Sequence, residues 1–174
     1  MTMTKRHRIV IGVTALATVG ALGGFGAATT SAAPNSDNAM NKLMGVLPGG
    51  YTSSNCQPVD SPPADSLATV DCQQNSRPNG PSVARFSLYP DRGTLDAHFQ
   101  SSANADELSP CPGGLQSPGN WHYNNNPNVP AGKIACGTYK GRPDLTWSQY
   151  DQGLLGDIQG DDLQSLYTFW SKNS

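Results

Sequence analysis

The sequence has little of what most enzymes and nucleic-acid-binding proteins need. Glu107 is its only glutamate, charged residues make up 14% of the 174 residues, and there are three histidines. No Gly-x-Ser-x-Gly motif positions a serine nucleophile. Beyond residue 8, no cluster of lysine and arginine offers a surface for nucleic-acid phosphates. We therefore predict no catalytic residues and no nucleic-acid partner.

Residues 1–32 are predicted to form an export signal. Three basic residues precede an apolar stretch over residues 9–28, and small residues up to Ala32 form a cleavage site. The stretch is about as long as a membrane span needs, so an uncleaved anchor is the alternative. Its glycines make it weakly hydrophobic, and no basic stop-transfer cluster follows it. We therefore expect a protein at the cell envelope or outside the cell, with no stable membrane anchor after cleavage.

All four cysteines lie beyond this signal, which predicts two disulfides formed in an oxidising compartment. Cys56–Cys72 and Cys111–Cys136 is the simplest of the three possible pairings. Zinc binding is the rival interpretation, but the intervening 15, 38 and 24 residues leave no C-x-x-C pair. We expect neither a metal nor another cofactor. With 19 glycines and 14 prolines the chain is rich in loops, and disulfides would offset a modest core.

The chain beyond the signal divides into a short N-terminal segment, residues 33–46, and a single domain, residues 47–174. Apolar residues at positions 40, 43, 44 and 47 predict a short helix, capped by Asp37 or Asn38 and ended by Pro48. Residues 51–63 are predicted to be a loop.

Alternating apolar residues predict a strand over residues 82–89, and helical spacing predicts a helix over 94–102. Further strands are predicted at 120–123, 133–139, 144–148 and, more weakly, 153–159. Asp161 or Asp162 is expected to cap a final helix, whose apolar positions 163, 166, 167 and 170 form one stripe. Short turns between strands favour antiparallel pairing. The predicted fold is α+β: an antiparallel sheet meander with two or three helices packed on one face, held by two disulfides.

One aromatic segment is the candidate ligand site. Trp121, His122 and Tyr123 precede a run of asparagines that includes Asn125. Aromatic faces and amide side chains suit sugar rings, which stack on the former and hydrogen-bond to the latter. The alternative interpretation is that Trp121 belongs to the core and that the asparagines form a turn.

Two other sets of residues are candidates for chemistry. His98 and His122 could each complete a catalytic arrangement with a serine and an aspartate, but no local motif places them. Four aspartates, at positions 151, 157, 161 and 162, suggest calcium, yet their spacing does not match an EF-hand loop. Helix capping by Asp161 explains part of this run without a metal.

A series of weak motifs runs along almost the whole chain beyond the signal. They are Leu47-Pro48-Gly49-Gly50-Tyr51 before Cys56, residues 68–72, Phe86-Ser87-Leu88-Tyr89 before Leu95 and Phe99, Cys111-Pro112-Gly113-Gly114 before Trp121, residues 131–137, Thr146-Trp147, and Asp162-Leu163 to Leu166-Tyr167 and Trp170. In these motifs the chain resembles a small extracytoplasmic module of actinobacteria. Such modules occur in secreted or membrane-tethered proteins of unknown function and at the extracellular C-terminus of some Ser/Thr protein kinases. The resemblance implies a cysteine frame and core aromatics but no catalytic residues.

Together these features predict a secreted, non-catalytic binding or sensor-like domain that meets an unknown ligand or protein at the cell envelope. An envelope hydrolase and a protein-binding inhibitor or adhesin are the alternatives. A deep polar cleft at His98 or His122 would favour the enzyme, whereas a flat exposed aromatic patch would favour binding.

Overall fold

The computed structural model of the chain describes residues 35–173. The predicted signal, residues 1–32, lies outside the described residues, as does the start of the N-terminal segment. Among the described helices none is both long enough and apolar enough to cross a membrane.

The described residues form an α+β fold, as the sequence predicts. The helices are α1 (Asp37–Val46), α2 (Arg92–Ala105) and α3 (Leu163–Asn173). The strands are β1 (Cys56–Pro58), β2 (Ala68–Cys72), β3 (Val83–Leu88), β4 (Glu107–Leu108), β5 (Gly119–Trp121), β6 (Gly132–Tyr139), β7 (Arg142–Gln149) and β8 (Leu154–Gln159).

The strands build one antiparallel sheet in the order β1-β2-β3-β8-β7-β6-β4, with β5 also paired to β6. Strands β6, β7 and β8 form a meander, and β8 closes the sheet by pairing with β3. The turn between β6 and β7 is formed by Lys140 and Gly141, which both have positive φ, at 51° and 76°. Two such residues match the twist of a tight hairpin.

Side chains that accept hydrogen bonds from backbone N–H groups begin each helix. Asp91 accepts from the Thr94 N–H at 2.9 Å at the start of α2, and Asp162 accepts from the Ser165 N–H at 2.8 Å at the start of α3. At α1 the cap is Ser36, not the predicted Asp37 or Asn38. Serine stabilises a helix start as well as aspartate does, and the helix begins one residue earlier than a cap at Asp37 predicts and two earlier than a cap at Asn38 predicts.

The first face of the sheet carries the larger core. Alternate strand residues such as Phe86 and Trp147 point to this face, where their rings pack edge to face with centroids 6.0 Å apart. Helices α1 and α3 cover it through buried residues that include Leu43 and Trp170. Two of the three helices thus pack on one face, within the predicted two or three, and the stripe of α3 lies in the core.

Helix α2 is the one described helix on the second face of the sheet. Leu95, Phe99 and Ala103 of this helix pack on Ala135 and Leu155. The helix lies against β6, β7 and β8. On this face β2 and β3 are open at Asp71 and Arg85, whereas Thr69 and Ser87 are buried beside Ser66.

Both predicted disulfides are present. Cys56–Cys72 joins directly paired residues of β1 and β2, and Cys111–Cys136 ties the proline-glycine loop to β6. The second bond closes a loop of 25 residues, which in the chain-entropy model stabilises the fold by about 3 kcal/mol. The prediction that residues 51–63 are entirely loop is wrong, because β1 adds a short edge strand there.

Candidate functional site

A groove runs along the second face, between α2 and the open strands β1 to β3. Its volume is about 850 Å³, within the range of ligand-binding clefts in proteins. One wall is the flank of α2 that carries His98, Ser101 and Ser102. The floor is the open sheet, including Gln57 and Arg85. The groove arises because one helix is too narrow to cover a sheet of this width.

The groove floor is polar because alternate residues of its strands face solvent on this side. Arg85 of β3 reaches across to Asp71 of β2 with two hydrogen bonds, Nε to Oδ1 at 2.6 Å and Nη2 to Oδ2 at 2.7 Å. Both side chains are about half exposed, at 51% and 52%. This geometry fixes the guanidinium on the floor. Asp157 of β8 lies directly opposite Arg85 on the other side of β3.

An aromatic contact anchors α2 to the sheet. The rings of His98 and Tyr89 stack with centroids 4.4 Å apart and an angle of 23° between their planes. Tyr89 is buried at the end of β3, and burial raises the pKa of its hydroxyl to about 12. This stacking holds α2, one wall of the groove, against the end of β3 in the groove floor.

Three carboxyl groups meet where the groove reaches the end of α2. Asp106 follows α2, Asp144 is in β7 and Asp157 is in β8. The Thr146 hydroxyl bridges two of them, at 3.4 Å from Asp144 Oδ2 and 3.3 Å from Asp157 Oδ2. Asp106 and Asp157 line the groove, whereas Asp144 lies behind them and is 1% exposed. We call these three residues the carboxyl cluster.

The carboxyl cluster holds protons at pH values where an ordinary aspartate is ionised. Burial, together with the charges of Asp157 and Asp106, raises the pKa of Asp144 to about 8. Burial and the charge of Asp106 raise the pKa of Asp157 to about 6, and burial raises the pKa of Asp106 itself. Like charges packed together out of water cannot all ionise, so the cluster shares protons near neutral pH.

The predicted ligand segment lies elsewhere. Trp121 is 3% exposed, donates from Nε1 to the Ser148 carbonyl at 2.8 Å and packs against Trp170. It is a core residue and has no free face for a ligand, so the prediction that Trp121 itself binds a ligand is wrong. The adjoining His122 and Asn125 are exposed and Tyr123 is half-buried, and all three lie outside the groove lining.

The other candidate residues predicted from the sequence, two histidines and four aspartates, do not come together in one site. His98 lines the groove and His122 does not. Asp157 belongs to the carboxyl cluster, whereas Asp162 caps α3 and Asp151 accepts a hydrogen bond from Tyr123 at 3.3 Å. Among the described residues, no group of three or more histidine, cysteine, aspartate or glutamate side chains, the carboxyl cluster included, has an arrangement that could hold a metal ion.

Sequence reasoning missed Asp106, Asp144 and Arg85. Asp144 lies in a strand whose residues alternate between the two faces of the sheet, and it is buried. An aspartate at a position that such a pattern buries was the signal available in the sequence. Comparisons with protein-family models, with curated proteins and with solved structures each return no match to this chain. The site must therefore be interpreted from its own geometry.

Proposed function

We propose that this chain is an exported, non-catalytic binding domain that holds an elongated polar ligand of the cell envelope in the groove. The observation that carries the proposal is the groove itself. It is about 850 Å³ in volume, and its floor of hydroxyl, amide and charged groups is fixed on a sheet. A rigid polar floor of this kind loses little conformational entropy when a ligand binds.

The arrangement around His98 supports binding without catalysis. Its ring is stacked on Tyr89, and within residues 35–173 it makes no hydrogen bond to a serine or a carboxylate. A nucleophile and its base need such a bond for covalent catalysis. The two disulfides support export, because disulfides persist in oxidising compartments. The likeness to extracytoplasmic modules of actinobacteria points to the same compartment.

Co-sedimentation with purified insoluble peptidoglycan tests the proposal, because this polymer presents both glycan and peptide chains. Ser101→Trp would place a large ring in the groove, and Ser171→Trp makes the same change on the exposed side of α3. We expect the parent protein and Ser171→Trp to sediment, and Ser101→Trp to bind at least about tenfold more weakly. Equal sedimentation of all three proteins, or of none, would contradict the proposal.

The carboxyl cluster favours a second candidate, an envelope hydrolase acting on glycan or peptide. A carboxylic acid that stays protonated near neutral pH can act as a general acid, and Asp157 lines the groove. Release of soluble reducing sugar or free amine from peptidoglycan distinguishes the two functions. Release that Asp157→Asn abolishes and Asp161→Asn preserves would establish the hydrolase. The binding proposal predicts no release from any of these proteins.

A further inference from the structure

The charged side chains of the groove are already paired with one another. Arg85 is the only lysine or arginine among the described residues that line it, and it lies between Asp71 of β2 and Asp157 of β8. Asp106 is hydrogen-bonded to Asp144 through a shared proton. An anionic ligand would therefore meet no unpaired cation, and a cationic ligand would lie beside the guanidinium. These pairings favour a ligand without charge, which bonds through hydroxyl and amide groups.

Neutral amide side chains lie in the groove beside these charged pairs. The side chains of Gln57 and Gln73 are exposed and make no hydrogen bond within residues 35–173. Gln159 of β8 lies directly opposite Val83 of β3, and Gln73 follows β2 at the level of this valine. Neighbouring strands lie about 4.8 Å apart, so these three residues span about 10 Å, which is comparable with the length of a disaccharide. An amide both donates and accepts hydrogen bonds, as the hydroxyl and acetamido groups of sugars do.

An apolar patch interrupts the polar floor. Val83 and Tyr139 are two of the four large hydrophobic side chains that are exposed among the described residues, at 39% and 36%, and both line the groove. The ammonium of Lys140 lies over one face of the Tyr139 ring, 4.9 Å from its centre, but Lys140 does not line the groove. The groove side of the ring is therefore open to a ligand. Sugar rings have an apolar C–H face, which packs on an aromatic ring.

We propose that the ligand of the groove is a neutral N-acetylated glycan chain, with a sugar ring packed on Tyr139 and Val83 and its acetamido group hydrogen-bonded to Gln159. This inference rests on the proposed binding function and names the chemical class of the ligand. Gln159 Nε2 lies 3.4 Å from the Tyr139 carbonyl oxygen, so the amide and the ring can contact the same sugar. The peptides of peptidoglycan carry carboxylates, for which the groove has no unpaired cation.

Three soluble probes test the inference on the intact protein. They are a tetramer of β-linked N-acetylglucosamine, the matching glucose tetramer, which lacks acetamido groups, and a peptidoglycan stem peptide without sugar. Isothermal titration should show the acetylated tetramer binding at least about tenfold more tightly than either of the others. No binding of the acetylated tetramer, or equal or tighter binding of either other probe, overturns the inference.

Variants assign the binding to the apolar patch. Tyr139→Ala should weaken binding of the acetylated tetramer about tenfold, and Tyr139→Phe, which keeps the ring, should bind as the parent does. Val83→Asp should also weaken it, whereas the same change at Val129, which is 56% exposed and lies outside the groove lining, should not. Thermal melting checks that each variant is folded.

Unchanged affinity for the acetylated tetramer in folded Tyr139→Ala or folded Val83→Asp also overturns the inference. If peptidoglycan still sediments with the parent protein and Ser101→Trp still weakens that binding, the proposed function stands while the glycan inference falls. If peptidoglycan does not sediment with the parent protein, the proposed function itself fails.

Discussion

Asp71 and Arg85 form a two-pronged ion pair between directly opposite residues of β2 and β3 on the floor of the groove. Arg85 also lies directly opposite Asp157 of β8, so its charge opposes the rise in the pKa of that member of the carboxyl cluster. Asp71 is neutralised by this pair, whereas among the described residues no acid of the carboxyl cluster forms a salt bridge. The electrostatic character of the groove follows from this distribution.

Stability should depend on pH through Asp144. The pKa of this residue is about 8 in the folded protein, well above the value of about 4 in an unfolded chain. Between these values the folded state binds more protons, so the free energy of unfolding falls as pH rises. The slope should approach about 1.4 kcal/mol per pH unit for each proton involved.

Chemical denaturation at a series of pH values measures this slope. Asp144→Asn should flatten it, because the amide does not titrate, and Asp161→Asn on the surface should leave it unchanged. If the free energy of unfolding of the parent protein is constant or increases from about pH 5 to about pH 8, folding does not raise the pKa of the cluster, and the prediction is contradicted.

Gly156 is predicted to be intolerant of any side chain. A Cβ atom at this position in β8 would lie 2.4 Å from Cη2 of the buried Trp147, whereas one at Gly45 in α1 has no neighbour within 4 Å. We expect Gly156→Ala to destabilise the protein by about 1–3 kcal/mol through overpacking. Gly45→Ala should be neutral or stabilise it by up to about 1 kcal/mol, as alanine does in a helix. Thermal melting of the two variants provides the comparison, and equal melting temperatures would refute this description of the core.

The disulfides should be essential for stability. Cys136→Ser with Cys111→Ser removes a bond that closes a 25-residue loop, and we expect a loss of about 3 kcal/mol in the free energy of unfolding. A loss of that size is a large fraction of the stability of a small domain. Peptide mapping without reduction should recover Cys56 linked to Cys72. A double variant as stable as the parent would contradict the expectation.

Local patterns predicted much of this fold. The alternation over residues 82–89 gave β3, the apolar stripe of the last segment gave α3, and the cysteine spacing gave the pairing. The first two signals each lie within a single helix or strand. The third is a choice among the three possible pairings of four cysteines. Strand β1 was missed because its three residues have no alternation and depend on pairing with β2.

The candidate site was less accessible to sequence reasoning. Asp106, Asp144 and Asp157 come from three elements, and the sheet order brings them together by placing β8 beside β7. The sequence allowed Trp121 to be either an exposed ligand-binding residue or a core residue. An aromatic residue beside asparagines occurs both at a protein surface and at the end of a buried strand. Only the packing of Trp121 against α3 distinguishes the two.

Mapping of backbone amide chemical shifts during titration with soluble peptidoglycan fragments tests the groove as the binding site most directly. The predicted result is a set of shifts along the groove, at Gln57, Arg85 and Ser102, with little change at Ser171 on α3. Shifts centred instead on His122 and Asn125, or no shifts at saturating fragment, would contradict the assignment of binding to the groove.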